Sequence, residues 1–268
     1  MELYERFVQD KGSLSMTAIA EAGRRFLPGL RVAEGFTRHP FDLEFGVRTS
    51  GLVAGRHLKS GHPHDRHATA YYGVAPSVFR ALLKRWQRSR PAAPIEDFTF
   101  IDIGAGMGRA VLLAAELPFR QVMGVELNPT LVRIARKNAA AWRFAGRARA
   151  PIKIVHGDAA EFPLPPGPCL AFLFNPFGAT VMRRLLKAWS RSLREQPRPL
   201  DLIYVNNEQE GVLELELRRR PAAARLYLGQ IHRSRADAIA DHKILANQPE
   251  GEYASSNVED CSIWHLNG

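Results

Sequence analysis

A chain of 268 residues, 46% hydrophobic and 24% charged, holds enough apolar material for one substantial domain with an elaboration, which excludes wholesale disorder. No apolar run approaches the roughly 18 residues that a membrane-spanning helix needs, and the acidic start Met1-Glu2-Leu3-Tyr4-Glu5 lacks the pattern of a secretory leader. Two distant cysteines, Cys169 and Cys261, offer neither a disulfide framework nor a zinc ribbon, so a cytoplasmic protein is expected. The net charge of +10 would suit an acidic partner such as RNA, DNA or an anionic protein tail. Its basic residues read as dispersed among acids along the chain, which favours a solvated arginine-rich exterior over a nucleic-acid surface.

Leu14, Ala18, Ala22 and Phe26, at four-residue spacing, predict a helix over Ser13–Phe26. Residues 34–70, rich in glycine and histidine, read as loop. His57, His62, His64 and His67 crowd there, but they lack a helical His-x-x-x-His frame and any cysteine partner, so loop histidines and no metal are expected. Ser77–Arg88 reads as an amphipathic helix, with Val78, Leu82, Leu83 and Trp86 opposite Arg80, Lys84, Arg85 and Arg88. Arg90-Pro91-Ala92-Ala93-Pro94 then marks a boundary between an N-terminal extension, 1–94, and a core, 95–268.

Beyond the boundary, strand and helix patterns alternate. Phe98–Ile103, Gln121–Glu126, Ile152–His156, Leu170–Phe174 and Leu200–Asn206 read as strands, and Arg225–Ile231 and Cys261–Leu266 as two later ones around a long connection. Helices are expected over Gly108–Leu117, from Asn128-Pro129 to about Phe144, over Thr180–Arg194 and near Glu208–Arg219. The triple Arg218-Arg219-Arg220 suits a helix end, where cations meet the dipole. The alternation predicts an α/β fold: a doubly wound, mostly parallel seven-stranded sheet with a mainly helical and loop extension ahead of it. Right-handed crossovers place the loops after the first four strands along one carboxyl edge, where ligands bind in such sheets.

The strongest motif is Asp102-Ile103-Gly104-Ala105-Gly106-Met107-Gly108 at the first strand-to-helix turn. Its glycines permit a sharp turn and close approach to the backbone. A dinucleotide fingerprint, Gly-x-Gly-x-x-Gly, would need glycine at position 109, where Arg109 stands, and this counts against an oxidoreductase. An acid two residues before the first glycine suits a cationic ligand and repels a pyrophosphate.

The chain resembles the class I S-adenosylmethionine-dependent methyltransferases, a Rossmann-like fold, over about residues 95–268. Asp102 to Gly108 match that family's first motif, Val122-Met123-Gly124-Val125-Glu126 the second, and His156-Gly157-Asp158-Ala159 the third. The resemblance implies S-adenosyl-L-methionine as cofactor, held by Asp102, Gly104, Ala105, Gly106 and Gly108, by Glu126 and Leu127 at the ribose, and by Asp158 and Ala159 at the adenine. Tyr72, or Tyr71 beside it, would cover the cofactor from the extension.

At the fourth strand end, Asn175-Pro176-Phe177-Gly178 resembles the Asn-Pro-Pro-Tyr motif of methyltransferases acting on planar amino groups, with Phe177 and Gly178 departing from it. The resemblance extends to bacterial members of unassigned substrate and, more loosely, to protein-lysine methyltransferases. It makes Asn175 and Phe177 the expected acceptor-side residues, with methyl transfer to a nitrogen of a protein side chain or small molecule. An RNA or DNA base acceptor is the alternative, and a non-catalytic cofactor-binding module the alternative of another class.

Overall fold

The computed structural model describes residues 38–218, 223–246 and 256–266. The helix expected over Ser13–Phe26 lies outside them.

The described chain opens with α1 (Pro40–Phe45), started by His39, whose Nδ1 accepts the Phe41 N–H, and stopped by Gly46 in the left-handed region. Two short 3-10 turns, Gly55–His57 and Pro63–His67, interrupt what the sequence reads as loop. The predicted amphipathic helix forms as α2 (Pro76–Arg88), with proline at its first position.

The core alternates as expected: β1 (Thr99–Ile103), α3 (Arg109–Ala115), β2 (Gln121–Glu126), α4 (Pro129–Phe144), β3 (Ile152–His156), β4 (Cys169–Phe174), α5 (Ala179–Glu195), β5 (Leu200–Val205) and α6 (Glu210–Leu217). It closes with β6 (Ala223–His232), α7 (Arg235–Ala246) and β7 (Val258–Leu266). The seven strands form one sheet in the order β3-β2-β1-β4-β5-β7-β6. β1 to β5 pair in parallel, and β7 runs antiparallel between β5 and β6.

The sheet is buried on both faces, which explains why β1, β4 and β5 read as apolar runs. On one face Phe79, Leu82 and Trp86 of α2 meet Phe98, Phe100 and Phe172, with the Phe79 and Phe172 rings 5.2 Å apart. Elements ahead of Pro94 therefore belong to the same core as the sheet. Trp86 Nε1 donates to Asp201 at 2.6 Å, so the largest ring of α2 keeps its polar atom satisfied inside. On the other face Met182, Leu185 and Trp189 of α5 cover Ile101, Ile103 and Leu202. Full burial of each such side chain contributes about 1.5–3 kcal/mol.

α7 falls in the connection that the sequence reading leaves without an element. Its inward positions are Asp237, Ala240, Asp241 and Ile244. They have helical spacing, but two of the four are acids and disguise the buried face. Each acid has partners. Tyr72 donates to Asp241 at 2.6 Å, and Arg233 Nε lies 3.1 Å from its other oxygen. Asp237 accepts the Ser77 N–H at 2.7 Å and faces His39 Nε2 at 3.5 Å.

Burial alone would raise the Asp237 pKa, but the bonds from His39 and Ser77 more than offset it and hold the carboxyl at about 2. A folded pKa below the unfolded value adds stability above the unfolded pKa, and that stability is lost as pH falls through the folded one. Asp237→Asn is thus expected to cost about 1–2 kcal/mol between pH 5 and 7. Urea midpoints of the two proteins should converge as pH drops from 4 toward 2. A constant difference across that range would refute this account.

Candidate cofactor cleft

The strand order reverses at β1, with β2 on one side and β4 on the other, so the loops after β1 and β4 diverge and open a cleft at the carboxyl edge. Asp102, Gly104, Ala105 and Gly106 line it from the first turn, Glu126 and Leu127 from the end of β2. Asp158 and Ala159, Phe177, Tyr71 and Tyr72 complete the wall. Two predicted residues lie elsewhere. Gly108, at φ 89°, packs against Ala135 of α4, where an added Cβ would lie 3.3 Å from the alanine Cβ.

Asn175 is the second. It holds φ 39°, in the left-handed region, and its Oδ1 accepts from Tyr204 Oη at 3.4 Å. Its carbonyl accepts the Thr69 hydroxyl, and the Pro176 carbonyl accepts the Thr69 N–H at 3.3 Å. Ala68 bridges Phe177 in antiparallel fashion, and Gly178 donates to the His67 carbonyl at 3.0 Å. The Asn175 and Pro176 carbonyls are therefore engaged by Thr69, and the Asn175 amide oxygen by Tyr204. Phe177 keeps the cleft position expected of it.

The glycine turn is packed more closely than its role beside a ligand requires. A Cβ on Gly104 would sit 2.4 Å from Pro176 Cβ, and one on Gly106 would sit 2.2 Å from the Tyr71 ring. Both hold positive φ. Glycine is thus required here by neighbouring protein as well as by conformation.

The carboxylates differ in what they already hold. Glu126 accepts from Gly106 N at 2.8 Å and Asn128 N at 2.7 Å, one bond per oxygen, which leaves lone pairs free on each. Burial raises its pKa despite those bonds. Asp102 accepts no hydrogen bond among the described residues, and burial, then the nearby Glu126 charge, hold its carboxyl well above the ordinary range. Asp158 accepts the Ala160 N–H at 2.9 Å, and its second oxygen lies 2.8 Å from His64 Nδ1, a contact at ion-pair distance that misses hydrogen-bond alignment.

His64 Nε2 in turn lies 2.7 Å from Arg184. An arginine only donates, so Nε2 is the acceptor and Nδ1 carries the ring proton. Ligand atoms of His62, His64 and Asp158 fall within 4.8 Å of one another. The Arg184 contact opposes a metal there, because it keeps Nδ1 protonated.

Sequence reading missed the residues that fasten the cover of the cleft. Arg109, 3% exposed, donates Nε–H to Thr49 Oγ1 at 2.7 Å and further N–H groups to the carbonyls of Gly73 at 3.0 Å and Thr49 at 3.1 Å. Tyr71 Oη donates to the Thr49 carbonyl at 2.7 Å. Arg109 entered the sequence argument only as the residue that is not glycine. Nothing local to its motif shows that it reaches residues 49–74.

Residues 100–196, from β1 through α5, match the family model of a methyltransferase domain. Over this stretch the chain is similar to methyltransferase domains, for which the sequence resemblance implies S-adenosylmethionine as cofactor. Over 78 residues the chain is 40% identical to tRNA1(Val) (adenine(37)-N6)-methyltransferase of Porphyromonas gingivalis, and this match covers 29% of each chain. Over 48 residues it is 46% identical to release factor glutamine methyltransferase of Vibrio cholerae, covering 18% of this chain and 17% of that one. The chain thus spans less than a third of these relatives. Precorrin-6y C5,15-methyltransferase of Geobacter metallireducens is similar in structure, with a TM-score of 0.46 and 16% identity over 70% of this chain and 88% of that one.

The residues present fit that cofactor. Asp102 is a buried carboxylate without a donor, suited to a cationic amino-acid moiety, and Glu126 has lone pairs for two ribose hydroxyls.

Arg109→Met would remove the donor to the Gly73 carbonyl and to Thr49 Oγ1, and leave the Thr49 carbonyl with Tyr71 Oη alone. A loss of about 3 kcal/mol in urea denaturation is expected, with faster hydrogen exchange confined to residues 49–74. A midpoint within error of the parent would show that the clamp contributes nothing.

Proposed function

We propose that the protein is an S-adenosylmethionine-dependent methyltransferase that acts on a nitrogen. One observation carries the cofactor half of this reading: Asp102 lies buried beside Glu126 in the cleft with no proton donor of its own. A cation beside that pair would restore both carboxylates to the ionised form. A dianionic pyrophosphate would meet like charge.

The cofactor, once bound, supplies an electrophilic methyl on a positively charged sulfur. The chain's task is then to bind, orient and exclude water. Glu126 is fixed by Gly106 and Asn128 so that its free lone pairs face the cleft. Tyr71 and Phe177 supply apolar walls, and residues 67–72 lie across the β4 end as a cover.

A nitrogen acceptor asks the least of these residues. An oxygen acceptor needs a base to take its proton, whereas a neutral amine or ring nitrogen brings its own lone pair. Burial keeps the Tyr71 and Tyr72 hydroxyls protonated, and His64 Nε2 is taken up by Arg184. A nitrogen acceptor needs no base from them.

Calorimetric titration tests this reading. The protein is expected to bind S-adenosylmethionine and its demethylated product. Glu126→Ala should weaken both by about tenfold to a hundredfold, the range for two charge-assisted bonds. Because the Asp102 and Glu126 pKa values are raised in the free protein, binding a cation should release protons. Affinity should then rise with pH between 5 and 8, and Asp102→Asn should flatten that rise. No binding at millimolar cofactor, or tighter binding of a dinucleotide, would overturn the proposal.

A further inference from the structure

We propose that the outward face of α4, continued onto the edge strand β3, is a binding surface for single-stranded nucleic acid. The surplus of charge is not dispersed, contrary to the expectation from composition. Residues 127–157 contain seven of the chain's basic residues, Arg133, Arg136, Lys137, Arg143, Arg147, Arg149 and Lys153, and no acid. That one stretch carries seven of the ten net charges, and the rest of the chain is close to balance at +3.

All seven are exposed. Positions 133, 136, 137, 140, 143 and 144 lie three and four apart around the helix and form one continuous face, and Arg147 follows just past its end. The opposite positions, Leu131, Ile134, Ala135 and Trp142, are buried. Contacts with protein leave the charge in place: Arg136 donates to the Ile154 carbonyl at 3.3 Å, and Arg147 lies 4.0 Å above the Phe45 ring.

In the middle of this charge stands Phe144, 96% exposed. A solvated basic helix gains nothing from a bare aromatic ring on its charged face. Cations interleaved with an exposed ring suit a strand whose phosphates are neutralised while a base stacks. A duplex would hide its bases from Phe144. An anionic membrane would call for several large apolar residues on the face, where this one offers Phe144 alone with alanines 140, 141 and 145.

From Arg133 to Phe144 the stripe spans roughly 16 Å, room for about four stacked nucleotides at about 3.4 Å each. Its near end is one turn from Asn128, which borders the cofactor cleft. A strand on this face could therefore bring a base nitrogen toward the cleft. That last step rests on the methyltransferase reading, whereas the binding itself does not.

Fluorescence anisotropy of the full chain with labelled 20-nucleotide RNA and DNA, single-stranded and duplex, tests the surface without cofactor. Single strands are expected to bind more tightly than duplexes, and the RNA and DNA arms identify the sugar. Arg133→Ala with Arg143→Ala should weaken binding at least tenfold and reduce the slope of log affinity against log salt by about 1.4. Phe144→Ala should weaken single-strand binding roughly tenfold and leave the melting temperature unchanged. Arg88→Ala, exposed at the end of α2, should change nothing.

The proposal fails if the parent binds single strands no better than the Arg133→Ala, Arg143→Ala double variant, or if Arg88→Ala costs as much as that pair. It fails also if base-free vesicles of anionic lipid bind equally well and compete. Cofactor titration of the same samples reads the methyltransferase assignment independently.

Discussion

A guanidinium at the first position of α3 carries a positive charge into the interior, and among the described residues no carboxylate touches it directly. Arg109 is instead coupled to Asp42, 0% exposed, through two hydroxyls. Thr49 Oγ1 donates to Asp42 at 2.5 Å and accepts from Arg109 Nε at 2.7 Å; Ser50 Oγ donates to Asp42 at 2.7 Å and accepts from Arg109 at 3.3 Å. The hydroxyl dipoles point from cation to anion, so both charges are satisfied although neither meets the other. Burying such a pair is expensive, and removing one partner leaves the other stranded, so the arrangement holds as a unit. It ties residues 42–50 and 73–74 to the glycine turn, and thereby seats the Tyr71 ring on Gly106. The cover of the cleft has its place because the helix behind the turn begins with arginine.

The same turn joins the clamp to the cleft. Gly106 offers its N–H to Glu126 because it adopts φ 55°, and it has room for Tyr71 because it has no side chain. Glu126 is thus oriented before any ligand arrives. Asp102 and Glu126 share one buried neighbourhood in which both pKa values are raised. That is an unfavourable state for the free protein and a favourable one for a cation, and such opposed demands mark functional sites.

The sheet and its carboxyl edge were legible in the sequence because strands covered on both faces announce themselves as apolar runs, and because three motifs recur at successive strand ends. Gln121–Glu126 and Ile152–His156 were read with their observed ends, and the other strands within three residues. α7 was not legible, since its buried face is built from Asp237 and Asp241, acids that a hydrophobic period cannot register. Their partners Tyr72 and Ser77 lie far away in the chain, and Arg233 sits in the turn just ahead of the helix. Arg109 was hidden in the same way, as its acceptors are some 35 to 60 residues upstream. The charge on α4 was legible and was overlooked, because totals over a whole chain conceal a stretch without acids.

Thr69 bears on how an acceptor can be read. In an Asn-Pro strand end the two backbone carbonyls and the asparagine amide are the groups able to receive a planar amino group. Here Thr69 donates to both carbonyls, and the Asn175 amide oxygen faces Tyr204. With residues 67–69 in place each of those acceptors already holds one donor, so a substrate amino group would have to share or compete with these bonds. Phe177 remains on the cleft wall, so an acceptor meets an aromatic face there and finds no matching row of carbonyls. Selection by stacking and by the charge outside the cleft is what such a wall permits. It suits a flat nitrogen heterocycle carried on an anionic strand better than a flexible alkylamine, whose recognition would need the hydrogen bonds that Thr69 has taken.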